Sequence, residues 1–179
     1  AALRGVVFVQ PLTVEASSSL LVECMVRDGR FEVRSGEVDA LADAAVHCSG
    51  SIAALDSWQR VDHASVRAGG CLRAVDVDLM YDGFYAAGLQ YGPGYRTLVQ
   101  AWHGESDALA RLRSRSTFAG TQVHPADLDD ALCTSVLVGP SSGSGETKLP
   151  FAVDDALLQG AAGELWASAA RQGPEAMMV

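Results

Sequence analysis

The segment HPADLDDALCTSVLV, residues 124–138, concentrates side chains able to do acid–base chemistry. Its spacing predicts a helix, with Pro125 in the first turn, where a missing N–H costs nothing. Asp129 and Cys133 stand four residues apart, so they project from one helical face beside Leu132 and Val136. Asp127 and Asp130 fall elsewhere and are expected to face solvent. A carboxyl on the apolar side of a helix is costly unless protonated or hydrogen-bonded. Desolvation raises its pKa, which would suit Asp129 to donate a proton near neutral pH. The plainer reading makes Asp129 a boundary residue, and spacing alone favours it.

Other patterns fail on inspection. Residues 139–148, GPSSGSGETK, resemble a phosphate-binding loop, but Glu146 stands where the lysine should be and no helix is expected to follow. DVDLMYDG suggests the opening of an EF-hand, yet Tyr81 occupies the loop's central glycine position and Ala87 its twelfth. Asp62, His63 and Ser65 supply the residue types of a catalytic triad without a nucleophile-elbow sequence. Of the histidines, His47 lies in an expected strand, His63 in a linker and His103 at a strand end. His124 sits where it would help fix the first turn of the 124–138 helix. No pair has metal-ligand spacing.

These side chains need elements to hold them. Strands are expected at 6–12, 19–26, 30–35 and 44–50, with Asp28-Gly29 as a turn between the second and third. In RFEVRS, Phe31 and Val33 share one face, and Arg30, Glu32 and Arg34 the other. Residues 51–70 show no clear period and end in Ala68-Gly69-Gly70, which reads as a linker. Beyond it, VDVDLMYDGFYAAGL reads as a helix with Asp78 as N-cap, placing Tyr81 and Tyr85 on one face. Gly88 ends it, and YGPGY is a turn no helix could run through. Strands at 96–104 and 107–113 precede the 124–138 helix, and LPFAV is a strand after it. Strands and helices with a glycine-rich break predict an α+β fold in two parts, 1–70 and 71–179.

Composition narrows the partners. Among 179 residues, Lys and Arg number 13 and Asp and Glu 22, a net charge of −9. Such a surface repels phosphate backbones and anionic membranes, so neither nucleic acid nor a membrane is an expected partner. No apolar run reaches the length of a membrane span, and the opening AALRGVVFVQPL lacks the layout of a signal peptide. It reads as a strand joined in mid-domain. Cys24, Cys48, Cys71 and Cys133 lie far apart without a CxxC pair, as expected of reduced, mostly buried thiols in a cytoplasmic protein.

Four segments taken in order resemble the dehydratase domain of modular polyketide synthases. VVFVQPL is similar to the strand after that family's first hot-dog helix. DVDLMYDGFYAAGLQYGPGY is similar to the opening of its second hot dog, with Tyr91, Gly92 and Pro93 in place. HPADLDDALC matches the His-Pro-x-x-x-Asp helix from His124 and Pro125 to Asp129. Leu149, Pro150 and Phe151 match the Leu-Pro-Phe strand.

The resemblance implies a double hot dog: two antiparallel sheets each wrapped on a helix, the first incomplete in this chain. It also implies elimination of water from a 3-hydroxyacyl thioester carried on the phosphopantetheine of an acyl carrier protein, with no further cofactor and no metal. Asp129 would be the general acid, and Tyr91 would support the leaving group or the aspartate. Cys133 takes the place where the family has Gln or His. The remaining synthase domains and a second copy of the domain would be partners. The family's histidine base belongs to an HxxxGxxxxP motif that none of the four histidines shows, so it is expected upstream of Ala1. The alternatives are a catalytically silent scaffold or dimerisation domain, or a dehydratase-fold isomerase or cyclase.

Overall fold

The computed structural model describes residues 2–14, 20–37, 44–54, 62–116, 120–121, 123–138, 152–157, 164–172 and 177–179. The chain divides into two compact units, one of residues 1–59 and 148–159, the other of residues 60–147 and 160–179.

The first unit is an antiparallel sheet in the order β2-β3-β4-β1-β8, formed by β1 (Ala2–Phe8), β2 (Leu21–Arg27), β3 (Arg30–Gly36), β4 (Ala45–Ala53) and β8 (Ala152–Leu157). Asp28 and Gly29, with φ of 52° and 73°, make the tight turn that pairs Arg27 with Arg30. Two consecutive positive φ values match the right-handed twist of the flanking strands. Gly50 is required by packing: a Cβ there would lie 2.8 Å from Cε1 of Phe31 and 3.2 Å from Cα of Val6. Inside the sheet, Ser35 and His47 are buried and hydrogen-bonded at 2.7 Å, while His47 Nδ1 lies 3.3 Å from the Gln10 carbonyl.

The expected division at residue 70 is displaced at both ends. Residues 60–70 belong to the second unit, and β8, which begins with the last two residues of LPFAV, pairs with β1. Pairing of β1 with a strand so late in the chain leaves no local periodicity to read.

In the second unit the antiparallel sheet runs β10-β9-β7-β6-β5, from β5 (Arg73–Val75), β6 (Leu98–His103), β7 (Asp107–Leu112), β9 (Leu165–Arg171) and β10 (Met177–Met178). The 51–70 stretch, expected to be a linker, contains α1 (His63–Gly69), whose N-cap Asp62 accepts from the amides of Ala64 and Ser65. His63 stacks on Trp166 at 4.3 Å, Trp166 stacks on Trp102 at 6.0 Å, and the Arg67 guanidinium lies 5.0 Å above Trp102. The triad-like residue types therefore cap and clamp a helix.

Helix α2 (Val77–Ala86) starts from Asp76, whose carboxylate accepts from the Leu79 amide, two residues before the expected cap at Asp78. Val77, Met80, Tyr81 and Phe84 face the core at helical spacing, whereas Tyr85 is exposed. Helix α3 (Pro125–Cys133), continued by a 3-10 turn over Thr134–Leu137, packs on the sheet against Leu98, Ala101, Ala110, Leu112 and Ala167. Burying each leucine there contributes roughly 1.5–3 kcal/mol.

Candidate active site

Three consecutive facts about α3 organise the site. His124 is its N-cap, with Nδ1 accepting from the Ala126 amide at 3.2 Å, and Pro125 follows at the first position. Its buried stripe is Ala126, Asp127, Asp130, Cys133 and Thr134. The expected apolar face was rotated from this: Val136 is exposed, and Asp127 and Asp130, expected in solvent, are among the most deeply buried carboxyls of the described residues. The correction has a plain cause, since each buried carboxyl has partners waiting for it.

Asp127 is held by Arg115, whose Nε donates to Oδ1 at 2.6 Å while Nη2 donates to the Gly94 carbonyl at 3.1 Å. Arg115 thereby joins the first turn of α3 to the Gly92–Tyr95 turn. Asp130 is saturated differently. Its Oδ1 accepts from the Tyr81 hydroxyl at 2.8 Å, and its Oδ2 accepts from the Thr97 amide at 2.5 Å and the Thr97 hydroxyl at 2.6 Å.

Asp129 is half-buried, and no hydrogen bond or ion pair holds its carboxyl among the described residues. Desolvation, and secondarily the neighbouring Asp130, pushes the carboxyl above its ordinary value. One turn further on, the Cys133 sulfur lies 3.2 Å from the Tyr91 hydroxyl. Burial lifts the Cys133 thiol to about 11, against the opposing pull of the Tyr91 hydrogen bond. Burial likewise raises the Tyr91 phenol, helped by Cys133. Both groups are therefore neutral hydrogen-bonding groups at physiological pH.

Tyr91 is fixed from behind. Its ring packs against Phe84 at 5.4 Å and Tyr81 at 5.8 Å, and its carbonyl accepts from Arg96 Nε at 3.0 Å. Gly92 and Pro93 begin the 3-10 turn Pro93–Tyr95, closed by the Tyr95 amide donating to the Gly92 carbonyl at 2.9 Å. Tyr91, Gly92, Pro93, His124, Pro125, Asp129 and Cys133 thus belong to one unit. Leu149, Pro150 and Phe151, with residues 139–148, lie outside the described residues. The sequence reading gave no site role to Tyr81, Thr97, Arg96, Arg115 or Asp130. Only the oddity of adjacent aspartates at 129 and 130 could have drawn attention to them.

Among the described residues, no three His, Cys, Asp or Glu side chains are grouped as a metal site requires, and no helix is long and apolar enough to cross a membrane. All four cysteines are free: Cys24 is exposed, Cys48 half-buried, and Cys71 and Cys133 buried.

An antiparallel sheet packed on a helix, with the desolvated Asp129 carboxyl on that helix, places the second unit in the hot-dog class. Residues 59–176 match the family described as the polyketide synthase dehydratase N-terminal domain, and the chain belongs to that family. It is 33% identical to polyketide synthase ThaG of Burkholderia thailandensis over 187 residues, covering 99% of this chain and 3% of that protein. Against polyketide synthase PksN of Bacillus subtilis it is 27% identical over 176 residues, covering 86% and 3%. The chain thus spans a few per cent of the length of these multidomain relatives.

Among solved structures it resembles the dehydratase domain from the CurF module of curacin polyketide synthase. That match has a TM-score of 0.80 and 20% identity, covering 97% of this chain and 66% of that one. A trans-AT polyketide synthase dehydratase domain from Brevibacillus brevis gives a TM-score of 0.78 at 23% identity, covering 98% and 65%. The fold is the double hot dog, as the sequence motifs implied.

Proposed function

We propose that the chain is the part of a polyketide synthase dehydratase domain that carries the proton donor. The domain eliminates water from a 3-hydroxyacyl thioester on an acyl carrier protein, giving the 2-enoyl thioester. Hydroxide is a poor leaving group, so elimination needs an acid at the C3 oxygen and a base at C2. The observation that carries the reading is the contrast among three neighbouring aspartates. Asp127 is tied to Arg115 and Asp130 is saturated by Tyr81 and Thr97, whereas Asp129 alone has a desolvated carboxyl without such a partner.

In this mechanism a histidine base, expected upstream of this chain, removes the C2 proton. The C2 electron pair forms the C2–C3 double bond as the C3–O bond breaks, and Asp129 delivers its proton to the departing oxygen. Tyr91 supplies a neutral hydrogen bond one helical turn away, and Cys133 orients it. An aspartate-to-asparagine variant and a histidine-to-phenylalanine variant of the CurK dehydratase are both described as inactive mutants, which supports this pairing of roles. The partners of the reading are an acyl carrier protein, the remaining synthase domains and a second dehydratase copy, in the cytoplasm, where free thiols persist.

The test is Asp129→Asn in the full synthase polypeptide, with dehydration of a carrier-bound 3-hydroxyacyl substrate followed by mass. Water loss should cease while the circular dichroism of the parent is kept. Dehydration at the parent rate would sink the assignment.

A further inference from the structure

A closed circuit of contacts starts from the residue next to the candidate acid. It leaves α3 at Asp130, crosses to Tyr81 on α2 through the 2.8 Å hydrogen bond, and passes to the Tyr91 ring at 5.8 Å. From the Tyr91 hydroxyl it returns to α3 at Cys133, 3.2 Å away. Asp130 and Cys133 are three residues apart and occupy the same buried stripe, with Asp129 beside its starting point. A second anchor runs from Asp130 to both the amide and the hydroxyl of Thr97, just before β6.

We propose that Asp130 is a positioning residue of the dehydratase site, using Tyr81 and Thr97 to fix where α3 presents Asp129 and where Tyr91 meets it. The proposal rests on the reading of Asp129 as proton donor. Its physical basis is the acceptor count. Both carboxylate oxygens are occupied by three donated hydrogen bonds in a site with no exposed surface, and the donors come from two separate elements. Rotation or sliding of α3 would leave those donors unpaired, so the helix has one favoured register.

Acid–base chemistry is sensitive to such placement, because a displacement of about 1 Å can cost about a hundredfold in rate. Asp130 also acts on its neighbour through charge, adding to the desolvation that raises the Asp129 carboxyl. The titratable and charged groups facing this pair are Tyr81 from α2, Tyr91 and Cys133, with Arg96 over the Tyr81 ring and the Asp127–Arg115 pair at the first turn. From β7 and β9 the core receives Ala110, Leu112, Leu165 and Ala167, none of which titrates.

The experiment compares Asp130→Asn, Tyr81→Phe, Thr97→Val and Thr97→Ser in the full synthase polypeptide. Dehydration of the carrier-bound substrate gives kcat, KM and the pH profile. Alkylation of Cys133 by iodoacetamide, located by peptide mass with Cys24 and Cys48 as internal references, reads the anchoring of α3 without activity. In folded Asp130→Asn and Tyr81→Phe, kcat should fall about tenfold or more with KM within about twofold. The alkaline limb of Asp130→Asn should move to lower pH, and Cys133 should alkylate several-fold faster in each.

Thr97→Ser keeps both donors and should behave as the parent, whereas Thr97→Val should share the loss. These threonine variants decide the matter if the Asp130 variant does not fold. Parent kcat and an unmoved pH limb in the folded variants would overturn the proposal. A parent protein without dehydration would instead overturn the functional reading. Cys133 alkylation would then decide alone, a rise supporting the anchor and no rise refuting it.

Discussion

Replacing Arg115 by methionine removes the guanidinium from a carboxylate whose side chain is 2% exposed, while Arg115 itself is 20% exposed. The Asp127 Oδ1 would lose its 2.6 Å partner, and Oδ2 has no hydrogen-bond partner among the described residues to take over. Breaking a buried pair from one side costs about 3–5 kcal/mol. One effect reduces this. Asp127 lies in the first turn of α3, where the helix dipole favours a negative charge by about 0.5–1 kcal/mol.

The expected destabilisation by Arg115→Met is therefore about 3 kcal/mol, a fall in Tm of roughly 6–12 °C for a chain of this size. Urea denaturation followed by tryptophan fluorescence should show a lower midpoint at unchanged slope. Adding Asp127→Leu should recover most of the loss, because an apolar pair of similar volume replaces the buried ion pair. A single-variant loss below about 1 kcal/mol, or a double variant no more stable than the single, would refute this account of the pair.

Asp129 should give the fold a pH dependence of its own. Its folded-state carboxyl is raised, so the stabilisation from its protonated form is fully present below the ordinary value of 3.8 and is lost as pH rises through the raised value. Asp129→Asn should accordingly match the parent in acid and exceed its stability at neutral pH, as urea midpoints across that range will show. The same sign governs turnover: kcat/KM should decline as pH rises through the raised Asp129 value, with a limb above 3.8. Tyr91→Phe removes the hydroxyl bound to Cys133 and should slow dehydration less than Asp129→Asn, while lowering stability by about 1 kcal/mol in denaturant melts. Gly50→Ala drives a methyl into the Phe31 ring and the Val6 backbone and should cost about 1–3 kcal/mol, read as a lower urea midpoint for the first unit.

Local chemistry was readable wherever the deciding partners lie close in sequence. Asp28-Gly29 predicted the hairpin because its own backbone preferences make the turn. Pro125 and the glycine-rich turn after Tyr91 likewise marked element boundaries that the structure respects. The Asp76 cap was missed by two residues because Asp78 is an equally good capping type. More consequential was the buried face of α3. Hydrophobic periodicity placed Asp127 and Asp130 toward solvent, yet both are held by residues 12, 33 and 49 positions away. No local pattern carries that information. Strand β9 went unread for a related reason: LWASAAR is rich in small residues with weak strand preference, and pairing with β7 is what makes it a strand.

The order in which the first sheet can be completed follows from its pairing. Strand β1 lies between β4 and β8, so one of its edges is satisfied by residues 45–53 and the other only by residues 152–157. During synthesis the sequence of most of the second unit leaves the ribosome before that last edge can close. At about 5–20 residues per second the open edge persists for on the order of ten seconds. An unpaired strand edge invites pairing with other chains. The alternation of the two units along the sequence thus leaves β1 open along one edge while the protein is being made.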